Sequence, residues 1–316
     1  MRPQLIGMHL IGRHLIGTLL AGVLLSGCAA GSGGTAAGSA PGTDATRHSR
    51  LLGARTWGYQ LTGYGPARLG PVAASGFDLV VVDAGDDDGM PWPPAELGAA
   101  RSRTGQPDRL LLGYLSIGAA ENYRAYWQAG WAQRPPAWLL AEDPDWPGNF
   151  DVAYWHPQWQ ATALGSLDRL MESGFDGAYL DLVDAFERHP QRAGARDEMI
   201  EWVCRVAAHA RARDPQFLIV PQNAPDLIRE ARYVPCVDAL GHEETFMYAM
   251  NTPTEPGRQA RLLAEFARWK AHGKPVFTVE YADREALIGP LYARARAAGL
   301  VPYVTVRAAD VLTPGR

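Results

Sequence analysis

Three cysteines in 316 residues are too few to staple a fold together, so a packed core has to hold this chain rather than a disulfide framework. Positive charge is not in excess either. Thirty lysines and arginines stand against 34 aspartates and glutamates, for a formal net charge of −4. A nucleic-acid partner asks for a basic face and is not expected. No His-x-His or His-Glu-x-x-His occurs, so neither a metal site nor a cofactor is expected. The Gly-x-Ser-x-Gly turn that presents a serine nucleophile is also missing. What is present is globular: 47% hydrophobic and 20% charged residues, which excludes bulk disorder. The ten tryptophans and twelve tyrosines are many for this size. Sugar sites use such rings as stacking platforms, although core and rim packing is the commoner fate of each one.

The N-terminus reads as an address label. Arg2 and Arg13 precede the apolar stretch Leu15 to Leu25, which is too short for a comfortable transmembrane helix. The stretch ends in Leu25-Ser26-Gly27-Cys28, which resembles a bacterial lipobox. That resemblance implies a signal peptide over residues 1–27, lipid on the Cys28 thiol, and an exported cell-envelope lipoprotein held to a membrane. An ordinary secretory signal with a chance cysteine is the alternative. Residues 28–50, rich in Gly, Ser and Ala, then form a flexible tether, leaving 51–316 as the folded domain. About 265 residues suit a single α/β barrel. A bridge between Cys204 and Cys236 is left open, because a cysteine inside a helical pattern is often simply buried.

Within that domain, β-rich runs alternate with helical patterns. The runs fall at 56–61, 79–83, 110–117, 177–181, 217–222, 237–243, 275–280 and 301–306. Helical periodicity fills 158–173, 194–213, 257–272 and 283–298, and glycine at 174, 273 and 299 supplies the stops. Eight β-runs with helical crossovers predict a (β/α)8 barrel whose last helix is short or missing, since few residues follow the eighth run. A doubly wound open sheet is the competing architecture. Its glycine-rich phosphate turn should follow the first run, where the chain instead reads Leu61-Thr62-Gly63-Tyr64-Gly65-Pro66.

Barrel chemistry sits where strands end. Asp83, Asp181, Glu243 with Glu244, and Glu280 close the second, fourth, sixth and seventh runs. Gln222 and Asn223 close the fifth, and the third runs through Tyr114 and Ser116 toward Glu121. A lone carboxylate at such a place is commonly a helix cap or a solvated loop charge, but four at matching positions form a pattern. Alternation along the seventh run assigns Phe277 and Val279 to the helices, and Val276, Thr278 and Glu280 to the barrel interior. Paired carboxylates suit glycoside hydrolysis, in which one group protonates the leaving oxygen and the other attacks carbon or activates water. The run Asp86-Asp87-Asp88 lacks the spacing of a calcium loop and reads as a solvated loop near the mouth. The segment from Trp131 to Trp159 is long enough to be functional, either as a groove wall or as a packed loop with aromatic anchors.

Several segments then occur in a familiar order. Tyr114-Leu115-Ser116-Ile117-Gly118-Ala119-Ala120-Glu121-Asn122-Tyr123-Arg124, Trp146-Pro147-Gly148-Asn149-Phe150, and Gly174-Phe175-Asp176-Gly177-Ala178-Tyr179-Leu180-Asp181 with Asp184 resemble glycoside hydrolase family 114, the endo-α-1,4-polygalactosaminidases. So do Pro221-Gln222-Asn223 and Gly241-His242-Glu243-Glu244-Thr245-Phe246-Met247-Tyr248. The resemblance covers roughly residues 55–307. One departure is Ala119, where an acidic residue is expected in many relatives. The resemblance implies a barrel that cuts α-1,4-linked galactosamine polymers internally, with Asp181 as nucleophile and Glu243 as acid/base in a retaining mechanism, and Glu244 as the rival for the second role. A cationic galactosamine-containing polysaccharide would be drawn to a mouth carrying Asp83, Glu121, Asp184 and Glu280. Tyr59, Tyr114, Ser116, Gln222, Asn223, Glu244 and Tyr248 complete the candidate subsite residues. A non-catalytic polysaccharide-binding lipoprotein and a hydrolase of another α-linked sugar are the competing functions.

Overall fold

The computed structural model describes residues 46–315, and the expected signal peptide, Cys28 and most of the tether lie outside them. The order begins with helix α1 (Arg47–Gly53), capped by the Thr46 side chain, so residues 47–50 belong to the fold rather than to the tether. Arg47 pairs with Asp176 and Asp214, and Leu51 is fully buried. These contacts with residues just ahead of two barrel strands tie residues 47–50 to the barrel.

Strand β1 (Trp57–Gln60) leads through α2 (Gly70–Ala74) to β2 (Leu79–Val82), then α3 (Pro94–Arg101) and β3 (Leu110–Ser116). An excursion follows, built from β4 (Ala119–Glu121), β5 (Leu139–Glu142) and β6 (Asn149–Val152). The barrel resumes with α4 (Pro157–Ser173), β7 (Gly177–Asp181), α5 (Ala195–Arg213), β8 (Leu218–Pro221) and β9 (Leu240–Glu243). The small hairpin β10 (Met247–Ala249) and β11 (Thr252–Pro253) precedes α6 (Pro256–Ala271), β12 (Val276–Tyr281), α7 (Glu285–Ala297) and β13 (Val301–Thr305).

Eight of these strands are the expected barrel staves, all parallel, in the order β1-β2-β3-β7-β8 and β9-β12-β13. A bridge from Gln222 to Gly241 joins the two arcs, and the rings of Trp57 and Tyr303 meet at the other seam, 6.1 Å apart. The fold is a (β/α)8 barrel. Among the described residues no helix follows β13. Residues 309–315 run back along the outside instead, with the Thr313 hydroxyl on the Val304 carbonyl and Gly315 against Phe77. The helix stops follow the glycines, Gly174 adopting φ 95° as the left-handed cap of α4.

In-register parallel pairing fixes which side chains share a face. Trp57, Tyr179, Phe277 and Tyr303 point inward and meet ring to ring, filling the barrel floor with aromatic layers. The interior leaves no room at Gly241, where a Cβ would come within 2.1 Å of the Tyr179 hydroxyl. This corrects the parity expected for the seventh run. Phe277, Val279 and Tyr281 face the barrel, and Thr278 and Glu280 face outward. The aromatic floor needs the ring at 277, and a period of two then carries Tyr281 inward and the polar residues 278 and 280 outward.

The excursion after β3 folds into an antiparallel sheet of order β4-β6-β5. Most of its aromatic residues are anchors. Trp127, Trp131, Trp138 and Trp159 contact one another in sequence, with centroids 5.0–5.2 Å apart. Trp146, in the β5–β6 turn, stays exposed. Cys204 of α5 and Cys236 form the disulfide that the sequence left open, closing a span of 32 residues.

Candidate active site

The C-terminal ends of the strands open into a cleft of about 800 Å³ whose lining carboxylates outnumber its arginines. Asp181 closes β7, with one carboxylate oxygen accepting from the Tyr114 hydroxyl at 2.5 Å and the other from the Leu182 amide at 2.7 Å. Burial is the main force that pushes its carboxyl up to about 7; the Tyr114 hydrogen bond opposes it and the nearby Glu243 charge adds to it. Glu243 closes β9. Its carboxylate accepts from the Tyr281 hydroxyl at 2.5 Å and from Asn223 Nδ2 at 3.3 Å, and its amide donates to Asn223 Oδ1 at 3.3 Å. Asn223 can do both because the chain turns there through left-handed conformations, φ 63° at Asn223 and 45° at Ala224. Two carboxylates on different strands, each held by a tyrosine hydroxyl, therefore face one cleft.

Tyr59, Tyr114, Asp184, Gln222 and Asn223 line the same cleft, as expected. Tyr59 donates to Gln222 Oε1 at 3.4 Å. Asp184 forms no salt bridge among the described residues. Its carboxyl is pushed up to about 6 by burial and then by Glu243.

Asp83 and Glu121 also line the cleft, but one guanidinium occupies both. Arg124 bonds to each at 2.6 Å, and the Tyr123 hydroxyl adds a further bond to Glu121 at 2.7 Å. Burial still holds the Asp83 carboxyl above its ordinary value, against the lowering by Arg124. Both oxygens of Glu121 are engaged, whereas Asp83 Oδ2 has no hydrogen-bond partner among the described residues, so Arg124 ties the two carboxylates into one ionic frame at the cleft wall.

Four expected site residues lie away from the cleft. Glu280 is fully buried, accepting the amides of Phe246 at 2.8 Å and Met247 at 2.9 Å, and burial pushes it up to about 8. It pins the loop after β9 from behind. Ser116 closes a turn, its hydroxyl bonded to both backbone groups of Ala119. Glu244, at φ 59°, turns outward and pairs with Arg307 at 2.6 Å, outside the cleft lining. That turn points its side chain away from that of Glu243. Tyr248 stands on β10, exposed and outside the lining.

The sequence reading missed Tyr281, Arg124, Arg188 and Arg307, and did not single out Trp146 within its long segment. Tyr281 lies one residue beyond the seventh β-rich run of the sequence and is the last residue of β12. Arg188 ties the excursion to the barrel by bridging Asp143 at 3.1 Å and Asp151 at 2.5 Å. The Asp86-Asp87-Asp88 loop does line the mouth, with Asp86 held by Arg68 at 2.8 Å.

A sequence profile described as glycoside-hydrolase family GH114 matches residues 38–313. The chain belongs to that family. An uncharacterized protein of Deinococcus radiodurans is 58% identical over 272 residues, covering 86% of this chain and 87% of its own. Among solved structures, the glycoside hydrolase domain of PelA from Pseudomonas aeruginosa superposes with a TM-score of 0.62 at 20% identity, over 82% of this chain and 97% of that one. Ega3 of Aspergillus fumigatus, solved in complex with galactosamine, gives 0.60 at 19% identity, over 82% and 94%. At those identities the likeness is one of fold. Family membership makes the chain a glycoside hydrolase.

Proposed function

We propose that this GH114 protein cuts α-1,4-linked galactosamine exopolysaccharide internally, with Asp181 as nucleophile and Glu243 as acid/base. The observation that carries the reading is the pair of tyrosine-held carboxylates facing one cleft rich in negative charge. A polymer bearing free amines is cationic near neutral pH, and such a cleft draws it in. The complex of Ega3 with galactosamine supports the same substrate class.

In the first step Asp181 attacks the anomeric carbon while Glu243 gives its proton to the departing glycosidic oxygen, leaving a glycosyl ester on Asp181. In the second, Glu243 takes a proton from water, the water oxygen bonds to the anomeric carbon, and Asp181 leaves as carboxylate. Asp181 must be ionised to attack, yet burial holds it near 7. A substrate ammonium beside it would favour the charged form as the sugar enters. Asp184, without a salt bridge among the described residues, is the natural partner for a further ammonium. We extend the proposal to location: a lipid on Cys28 would hold the enzyme at a membrane outside the cytoplasm.

The test is incubation of the protein with defined α-1,4-galactosamine oligomers, read by mass spectrometry, beside Asp181→Asn and Glu243→Gln. Shortened oligomers from the parent, absent from both variants, are the expected result. Binding without cutting would replace the enzyme with a polysaccharide-binding lipoprotein. Cutting of only a different α-linked polymer would keep the chemistry and change the substrate. A first-formed product of inverted configuration would overturn the assignment of Asp181 as nucleophile.

A further inference from the structure

One cation in the cleft sits where a polyamine-like substrate should not want it. Arg307 follows β13, the eighth stave, and lines the cleft. Its guanidinium lies 5.7 Å over the ring of Trp146, carried by the excursion inserted between the third and fourth staves, and 5.7 Å over the ring of Tyr281. Arg307 and Trp146 thus reach each other across the mouth. Trp146 is 48% exposed and lines the cleft, so its ring is available to a sugar face.

The hydrogen-bonding character of this edge is opposite to that of the floor. Only Nη1 of Arg307 is engaged, on Glu244, so among the described residues its Nε and Nη2 protons have no acceptor. A guanidinium has donors and no acceptor. The carboxylates of Asp181, Asp184 and Glu243, when ionised, accept and do not donate. An ammonium, which only donates, suits the floor and meets like charge at the Arg307 guanidinium. An acetamido group offers a carbonyl oxygen to the guanidinium and a methyl to the indole.

We infer that the Trp146–Arg307 edge is a separate subsite that takes an N-acetylated sugar unit, so that the cleft reads a mixed polymer in register, with free-amine units on the carboxylate floor and an acetylated unit at the rim. The inference rests on the polysaccharide reading above and adds specificity to it. It makes Arg307 a specificity residue that touches substrate without taking part in bond breaking.

The experiment uses the protein with α-1,4-galactosamine oligomers of one length, either fully de-acetylated or carrying a single N-acetyl group at a known unit. Products are sequenced by tandem mass spectrometry. The parent is expected to cut at a fixed distance from the acetylated unit and to prefer those oligomers. In Arg307→Ala the ratio of kcat/KM, acetylated over free-amine, should fall about tenfold, the order expected for a charged donor losing its acceptor. Arg307→Lys, which keeps the charge but not the planar fork, should fall between the two. Trp146→Ala should loosen the fixed cutting position while far-ultraviolet circular dichroism stays unchanged. Cutting by the parent without regard to the acetyl position, or an unchanged ratio in Arg307→Ala, would overturn the subsite and leave the hydrolase standing. Failure of the parent to cut any oligomer would overturn the proposed function and this inference with it.

Discussion

The role assigned to Asp181 can be tested through the tyrosine that holds it. Its carboxyl sits near 7 because burial and the neighbouring Glu243 charge raise it, while the 2.5 Å hydrogen bond from Tyr114 works in the opposite direction. Tyr114→Phe removes that donor and leaves the ring in place. A hydrogen bond to a charged acceptor contributes about 1.5–3 kcal/mol. At about 1.4 kcal/mol per pH unit, its loss should move the Asp181 ionisation up by roughly one to two pH units. In the proposed mechanism the ionised form attacks, so the acid limb of kcat/KM against pH should shift up by the same amount. At pH 6 the variant should then be about tenfold to hundredfold slower than the parent, and above pH 9 the two should converge to within about threefold. The assay is a pH–rate profile on a defined oligomer from pH 4 to 10, for parent and variant side by side. A uniform loss at every pH, with the limb unmoved, would show that Tyr114 acts on substrate rather than through Asp181. A limb that moves down would mean that Asp181 works in its protonated form, and the nucleophile and acid/base roles would have to be exchanged.

The same carboxyl should weaken the fold. A folded value near 7 against an ordinary 3.8 means that stability falls as pH rises through about 4 and levels off above 7, a loss on the order of 4 kcal/mol. Asp181→Asn should therefore raise Tm at pH 8 and change it little at pH 4; equal shifts at both would refute this. Reducing Cys204–Cys236 releases a 32-residue span, for which loop-closure entropy gives about 3.7 kcal/mol, so Tm should drop by roughly 6 °C under reductant. A drop also seen in the Cys204→Ser/Cys236→Ser variant would point to an effect of the reductant instead. Arg124→Ala leaves Asp83 and Glu121 buried together without their shared cation, at a cost of about 3–5 kcal/mol. Denaturant unfolding should show the loss, and Asp83→Asn in the same chain should recover part of it. Recovery by neither this change nor Glu121→Gln would mean that Arg124 matters by packing alone.

The barrel was legible because its signals are local. Short apolar runs alternate with helical periods, and glycines mark the stops, as at Gly174 with φ 95°. Asp181 and Glu243 were legible for the same reason, since each is the last residue of a stave. Electrostatic partners were not. Whether Asp83 is open to a ligand depends on Arg124, 41 residues away in the chain, and no spacing rule connects them. Glu280 was misread because polarity was taken as the mark of the mouth. This barrel instead turns an aromatic face inward at Phe277 and spends its buried glutamate on the amides of residues 246 and 247. Glu243 and Glu244 could not be ranked from the sequence. Only the left-handed turn at Glu244 separates the one that enters the cleft from the one that leaves it.

Helix α1 lies under the strands. Arg47 and Arg50 reach Asp176, Asp214 and the Asp108 carbonyl, all just ahead of barrel strands, so the chain enters from the pole opposite the cleft. The tail returns beside Phe77, toward the same pole. Both ends of the described chain are thus on the underside. An affinity tag, a bead or a fusion partner joined at either end leaves the mouth unobstructed, and a long polymer can approach from the open side while the enzyme is held from below.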